Sequence, residues 1–229
     1  MKIAALITAR GGSKGLPGKH MLELGGKPLI AHTFQVASAC SAFEKVILST
    51  NIPEVISLAK NHYPKIEIPF VRPEHLCLDD SAHSDVVMHA IDFMEQDGYV
   101  PDSWVLLQPT SPFRELSELE AGCDFLENGA ETVLGVSKVM HHPAEYVYQN
   151  PSGKIGFIMS EYAGRRRQEY PKIYFDNGAF YGFTAGFFKK NLKFFDEESK
   201  LLLMSEKSLI DIDTPFDMAL AKGLYDFYI

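Results

Sequence analysis

The sequence predicts an α/β protein with a mostly parallel sheet and helices on both faces. Two observations carry this. Short apolar runs, read as buried strands, alternate with stretches whose apolar residues recur at helical spacing. Prolines and capping residues stand where several of those helical stretches begin. A chain that alternates strand and helix in this way forms a parallel sheet through crossover connections.

The first strand is expected over residues 3–7, and Ile30, Phe34 and Ala37 then mark one face of a helix starting at Pro28. Residues 45–50 read as the second strand. Pro53 opens the next helix, with Val55, Leu58 and Ala59 as its apolar face, and residues 68–71 read as a short strand. Val87, Ala90, Ile91 and Met94 have helical spacing. Residues 104–107 form a fully apolar strand that ends at Gln108. Leu116, Leu119, Cys123 and Leu126 form another helical stripe, and residues 132–136 another strand. The rhythm breaks between residues 140 and 171, a segment too short to bury its own core. It reads as an arm inserted in a single domain of residues 1–229, with a possible strand at 154–159. Residues 173–183 resume as a strand interrupted at Asn177-Gly178, and residues 208–213 read as the last strand. Thr214 is placed to cap a final helix, with Pro215 at its first position and Asp217 at its third. Phe216, Leu220 and Phe227 are expected on its inward face.

The 229 residues carry 22 basic and 30 acidic side chains, a net charge of -8, and 46% are hydrophobic. That balance excludes the broad basic face that nucleic acid requires. No apolar stretch approaches the roughly 20 residues of a membrane helix. Residues 1–2 run directly into the first strand, so no signal peptide is expected and the protein is assigned to the cytoplasm. Cys40, Cys77 and Cys123 lack metal-like spacing and read as reduced thiols.

Against this acidic background, the segment Ala9-Arg10-Gly11-Gly12-Ser13-Lys14-Gly15-Leu16-Pro17-Gly18-Lys19 stands out, with three cations in ten residues. Its glycines and proline preclude a regular helix. A glycine-rich loop exposes backbone N–H groups, and the spaced cations can neutralise phosphate oxygens. Neither common phosphate-loop template fits. The P-loop pattern would put a glycine at Ser13 and a hydroxyl at His20, and no glycine pair satisfies the dinucleotide fingerprint. The plainer alternative is a solvated basic loop. Asp211-Ile212-Asp213 forms the second constellation. On a strand, residues i and i+2 share a face. Two such carboxylates repel unless a cation bridges them, and magnesium takes one or two carboxylates plus substrate phosphates. The alternative is that Asp213 serves the helix cap while Asp211 is solvated.

Further strings punctuate the chain. Leu107-Gln108-Pro109-Thr110-Ser111-Pro112-Phe113-Arg114 is a rigid turn expected to expose Gln108, Thr110, Ser111 and Arg114. Asp79-Asp80-Ser81-Ala82-His83-Ser84-Asp85 approaches a helix and equally suits simple capping. Arg165-Arg166-Arg167-Gln168-Glu169-Tyr170-Pro171 and Asp176-Asn177-Gly178-Ala179-Phe180-Tyr181 follow. His141-His142 lacks an evident third metal ligand and reads as structural.

Taken in order, these strings resemble the acylneuraminate cytidylyltransferases, enzymes that activate nonulosonic acids with CTP. The resemblance spans nearly the whole chain. It implies a Rossmann-like three-layer α/β/α fold, a homodimer in which the arm at about 140–171 packs on the neighbouring subunit, and CTP and an acidic sugar as substrates. It further implies magnesium as cofactor and release of pyrophosphate. Carried onto this sequence, it assigns Arg10, Lys14, Lys19 and Asp211 to catalysis, and Asp211 with Asp213 to the metal. Ala9, Gly11, Gly12, Ser13, Asp79 and Ser81 fall on the nucleotide side. Gln108, Thr110, Ser111, Arg166, Arg167 and Asn177 fall on the sugar side, with an arginine fork suited to the sugar carboxylate. Three positions depart from the family pattern. His20 stands where an asparagine is common, and Glu145 and Phe175 stand where sialic-acid members carry lysine and arginine. The alternatives are a pseudaminate, legionaminate or 3-deoxy-octulosonate enzyme, or a non-catalytic nucleotide-sugar-binding protein.

The loop's assignment carries a prediction. Lys19→Ala is expected to lower turnover about a hundredfold or more, the loss typical of one transition-state donor. Steady-state pyrophosphate release by the folded variant checks it, and near-normal turnover refutes the role.

Overall fold

The chain order explains where the site forms. The computed structural model describes residues 1–228. Strand β1 (Ile3–Ala9) leads through a short hairpin, β2 (Glu23–Leu24) and β3 (Lys27–Pro28), into helix α1 (Leu29–Ala39). There follow β4 (Phe43–Thr50), α2 (Pro53–His62), β5 (Ile66–Glu67), α3 (His83–Gln96), β6 (Ser103–Leu107) and α4 (Leu116–Glu127). Then come β7 (Thr132–Lys138), the arm strands β8 (Val147–Gln149) and β9 (Ile155–Phe157), and β10 (Tyr174–Thr184). Helix α5 (Ala185–Asn191), β11 (Lys200–Leu203) and α6 (Pro215–Tyr228) complete the chain.

Seven strands form one sheet in the order β11-β7-β10-β6-β1-β4-β5. All its pairs are parallel except those of β10, which runs antiparallel between β6 and β7. The sheet grows from β1 outward through β4 and β5, then returns to place β6 on the other side of β1. The crevice beyond the carboxyl ends of β1 and β6 is therefore a topological switch point, where open α/β sheets bind ligands.

Strand β1 shows why the sheet is covered twice. Ile3, Ala5, Ile7 and Ala9 pack under α1, α2 and α4, while Ala4 and Leu6 face α3 and α5. Alternation along a pleated strand produces both faces from one apolar run. A third cluster, with Leu24, Leu29, Phe113, Ile212, Met218 and Ala221, seats α6 against the small hairpin.

Several expectations are corrected. Residues 208–213 are not a strand. Residues Glu206–Leu209 form a 3₁₀ turn, and residues 210–213 pair with no strand of the sheet. The Ile210/Ile212 alternation arises because both side chains enter the third cluster. The expected strand at 68–71 does not form; the strand lies just before it, at Ile66–Glu67, since only those residues pair with β4. Pro28 caps α1 rather than sitting inside it. Phe216, Leu220 and Phe227 do not face inward: they are 69%, 46% and 80% exposed, and Met218 and Ala221 are the buried residues of α6. The capping of α6 holds, with Thr214 Oγ1 accepting the Asp217 N–H at 3.2 Å.

Arg114 is buried rather than exposed, because its guanidinium ties three segments together. It donates to the Ala179 carbonyl at 2.6 Å, the Gln108 carbonyl at 2.9 Å and Thr33 Oγ1 at 3.2 Å. Arg114→Met is expected to destabilise the fold by about 2–5 kcal/mol, because it leaves buried acceptors unsatisfied. Urea denaturation checks this, and an unchanged midpoint contradicts it.

Candidate functional site

A cavity of about 580 Å³ opens at the switch point. The segment after β1 supplies Arg10, Ser13, Lys14, Gly15, Lys19 and His20, and the turn after β6 supplies Gln108, Pro109 and Thr110. Arg72, Asp79, Ser81 and His83 come from the segment before α3 and its first turn, and Asp213 and Thr214 from the approach to α6.

The two ends of the chain meet here. Lys19 Nζ donates to Asp213 Oδ1 at 2.6 Å. Gly15 lies so close to the Asp213 carbonyl that a Cβ at position 15 would sit 2.5 Å from its oxygen. Asp213 is itself held by a cap, since the Asp217 carboxylate accepts the N–H groups of Asp213 and Thr214 at 3.1 and 2.8 Å. The Ile212 N–H bonds the Thr110 carbonyl at 2.9 Å, joining this turn to the one after β6.

Arg10 donates to Asp79 Oδ1 at 2.9 Å, and Lys14 lies 2.7 Å from Asp79 Oδ2. Asp79 thus engages both cations of the loop mouth. Gly11 is tied to Asn51 through its N–H at 3.0 Å. Gly12 takes a positive φ of 83°, a conformation that favours glycine. Ala9 is buried at the end of β1. Ser81 lines the cavity and donates from Oγ to the His75 carbonyl at 2.8 Å.

Sequence reasoning missed Arg72 as a site residue. It is buried, with its guanidinium on Ser49 Oγ at 3.0 Å and the Ser49 carbonyl at 2.6 Å, and it lines the cavity. The signal was an arginine set between Phe70-Val71 and Pro73. His20 and His83 also line the cavity. Burial, reinforced by Lys19, Arg72 and Arg10, pushes the His20 imidazole down to about 3. Burial, with Arg72 and Arg10, lowers His83 to about 4. Both rings are therefore neutral near pH 7. His83 Nε2 shares a hydrogen bond with Thr8 Oγ1 at 3.1 Å, and His20 Nδ1 is buried without a partner.

The expected sugar-side residues divide. Gln108 and Thr110 line the cavity, but Thr110 is buried and Gln108 half-buried rather than exposed. Ser111 is buried, with its Oγ unpartnered. Asn177 is turned inward, its amide spent on Ser137 Oγ and the Ala179 N–H, each at 3.0 Å. Asn177 is buried and does not line the cavity, and each end of its amide makes one hydrogen bond beside the irregularity in β10. Arg166 and Arg167 are exposed on the arm and do not line the cavity. Arg167 is paired with Glu145 at 2.8 Å.

Of the acid pair, Asp213 lines the cavity and Asp211 does not. Asp211 Oδ1 is buried without a hydrogen-bond partner. Burial holds its carboxyl above the usual range; the Thr110 hydroxyl offsets part of this and the Asp213 charge adds to it. Among the described residues no group of three or more His, Cys, Asp or Glu side chains is arranged to hold a metal ion by itself. A cation here would need further ligands from a bound molecule, the habit of magnesium at phosphate sites.

A cation-walled cavity at the switch point of an α/β sheet defines a nucleotide-handling protein. The chain belongs to the cytidylyltransferase family, whose model matches residues 4–202. It is 36% identical to the CMP-N,N'-diacetyllegionaminic acid synthase of Legionella pneumophila, over 99% of this chain and 97% of that protein. It is 29% identical to a pseudaminic acid cytidylyltransferase of Campylobacter jejuni, over 98% of this chain and 97% of that protein. The fold matches a solved CMP:2-keto-3-deoxy-manno-octonic acid synthetase complexed with CTP, with a TM-score of 0.70, 17% identity and full coverage of both chains.

The buried histidines set a pH dependence. Each binds a proton more weakly when folded than in the unfolded chain, where the usual value is about 6.5. Their stabilising contribution is present above about pH 6.5 and is lost as pH falls toward 4. The thermal midpoint is expected to fall less between pH 7 and pH 5 in His83→Gln than in the parent. Parallel slopes in a melting series would contradict this.

Proposed function

We propose that this protein transfers a cytidylyl group from CTP to an acidic nonulosonic sugar, N-acetylneuraminate or a close relative, with release of pyrophosphate. The observation that carries it is the 2.6 Å contact of Lys19 with Asp213 on a cavity wall shared with Arg10, Lys14 and Arg72. At about 580 Å³ the cavity is within the range of small-molecule sites.

Arg10, Lys14, Lys19 and Arg72 would neutralise the triphosphate. Ser13 and the glycine-rich backbone offer N–H donors to its oxygens. Leu76, Val86 and Ser81 give the nucleoside end a mixed apolar and polar wall. Gln108 and Thr110, at the end of β6, would orient the sugar so that its anomeric hydroxyl faces the α-phosphorus. Negative charge grows on the phosphoryl oxygens and the departing pyrophosphate, so positioning and charge neutralisation supply most of the acceleration. Asp211, through its unpartnered oxygen, and Asp213, through the carboxylate oxygen that Lys19 leaves, would hold a magnesium ion, which supplies further neutralisation at the transferred phosphate. The three thiols without disulfide partners suit a cytoplasmic enzyme.

The same reading makes the chain a homodimer through its arm. Tyr146, Val147, Tyr148, Ile155, Phe157 and Ile158 are exposed together on and beside β8 and β9. An apolar cluster of this kind suits a protein interface.

A second reading of the sugar, a diacetylated legionaminate-type acid, is favoured by the 36% identity to the Legionella synthase. The Glu145–Arg167 pair departs from the sialic-acid pattern, since it engages one of the arm's arginines where sialic-acid members of the family carry a lysine. Magnesium-dependent pyrophosphate release from CTP, measured with a panel of nonulosonic acids, tests both. No release with any of them would sink the proposal.

Asp211→Asn is expected to lose at least about a hundredfold in turnover while gaining stability at neutral pH. Since folding raises the Asp211 carboxyl, the native state holds its proton more tightly than the unfolded chain. Stability from this group is therefore greatest at low pH and declines as pH rises above the usual carboxylate value of about 3.9. The amide removes that decline. Melting curves at pH 5 and pH 8 decide, and a variant less stable than the parent at pH 8 overturns the assignment.

A further inference from the structure

We infer that Asp79 is an internal counter-anion for the phosphate-binding cations, a latch that the incoming triphosphate displaces and that weakens retention of the pyrophosphate product. The inference rests on the reading of the cavity as a nucleoside triphosphate site.

The geometry is that of a phosphate mimic. One Asp79 oxygen takes Arg10 at 2.9 Å and the other lies 2.7 Å from Lys14. Arg10 also reaches the Cys77 carbonyl at 3.4 Å, so the segment before α3 holds it at two points. Lys14 and Arg10 hold the Asp79 carboxyl below its usual range, so it faces them as a carboxylate at neutral pH. An ionised carboxylate on this wall would repel a polyphosphate and compete with it for Arg10 and Lys14.

The remaining cations are engaged elsewhere. Arg72 is fixed on Ser49 and Lys19 on Asp213. Asp79 therefore governs only the mouth of the loop. There it offsets the mutual repulsion of Arg10 and Lys14 and keeps both side chains placed before ligand arrives. The segment around Asp79 does not depend on this contact for its shape. Ser81 bonds the Leu78 carbonyl through its N–H at 3.3 Å and the His75 carbonyl through Oγ at 2.8 Å. Lys14 is 83% exposed, and exposed ion pairs are weak. The latch is therefore cheap to open: it tunes affinity without blocking entry.

Isothermal titration of the full-length protein with CTP, and separately with inorganic pyrophosphate, tests this. Asp79→Asn is expected to bind both ligands about three- to thirtyfold more tightly than the parent, the factor set by release of two exposed pairs. Pyrophosphate is also expected to inhibit that variant at correspondingly lower concentration. Asp79→Glu, which keeps the charge, is expected to restore parental affinity, and melting curves show whether each variant is folded. Equal or weaker binding by folded Asp79→Asn overturns the latch while leaving the nucleotide site intact. A parent that binds neither ligand overturns both the latch and the site.

Discussion

The contact between Lys19 and Asp213 joins side chains 194 residues apart, and the whole site depends on it. A flexible basic loop and an irregular acidic turn have no reason to meet unless the sheet carries them to one edge. The sheet does so because β1 and β6 are neighbours with β4 on the far side of β1. The loop after β1 then lies beside the turn after β6, and the Ile212 N–H bonded to Thr110 brings the acidic turn to the same place. Gly15 permits the final approach, since a side chain there would collide with the backbone of Asp213.

Charge balance follows from this arrangement. The chain has a net charge of -8, yet it gathers Arg10, Lys14, Lys19 and Arg72 around one cavity. Three of them are matched by acids: Asp79 serves Arg10 and Lys14, and Asp213 serves Lys19. Arg72 alone is buried, and the protein answers its burial with hydrogen bonds to Ser49 rather than with an acid. Two histidines among these cations are kept neutral by burial and by their neighbours' charge. They add hydrogen-bonding capacity to the wall without adding repulsion. The resulting site carries cations held in place by acidic partners before any ligand binds.

Much of this was legible in the residues. The strand and helix order emerged because buried parallel strands are apolar along their whole length and the helices show one apolar stripe each. The glycine-rich loop and the acid pair were legible because their composition departs from the rest of the chain. The last strand was misread because Ile210 and Ile212 alternate for a reason unrelated to sheet pairing. The burial of Asn177 was not legible, because a buried amide and an exposed one look the same in a sequence. The inward face of α6 was misread because three large apolar residues outweighed Met218 and Ala221 in the pattern, although the smaller pair touches the core. Arg72 gave a faint signal, an isolated cation in an apolar run, and only its hydrogen bonds to Ser49 show why it is tolerated.

The amino-acid sequence by itself determined the layer architecture, the basic glycine-rich loop and the acid pair, because periodicity, glycine content and local charge are properties of neighbours along the chain. Tertiary structure decided which cations face which acids, which hydroxyls and amides bond within the fold, and which oxygen of Asp211 is left without a partner. Those outcomes depend on distances between segments that only folding sets, and a hydrogen bond or ion pair changes a side chain's chemistry only when its partner is within about 3 Å.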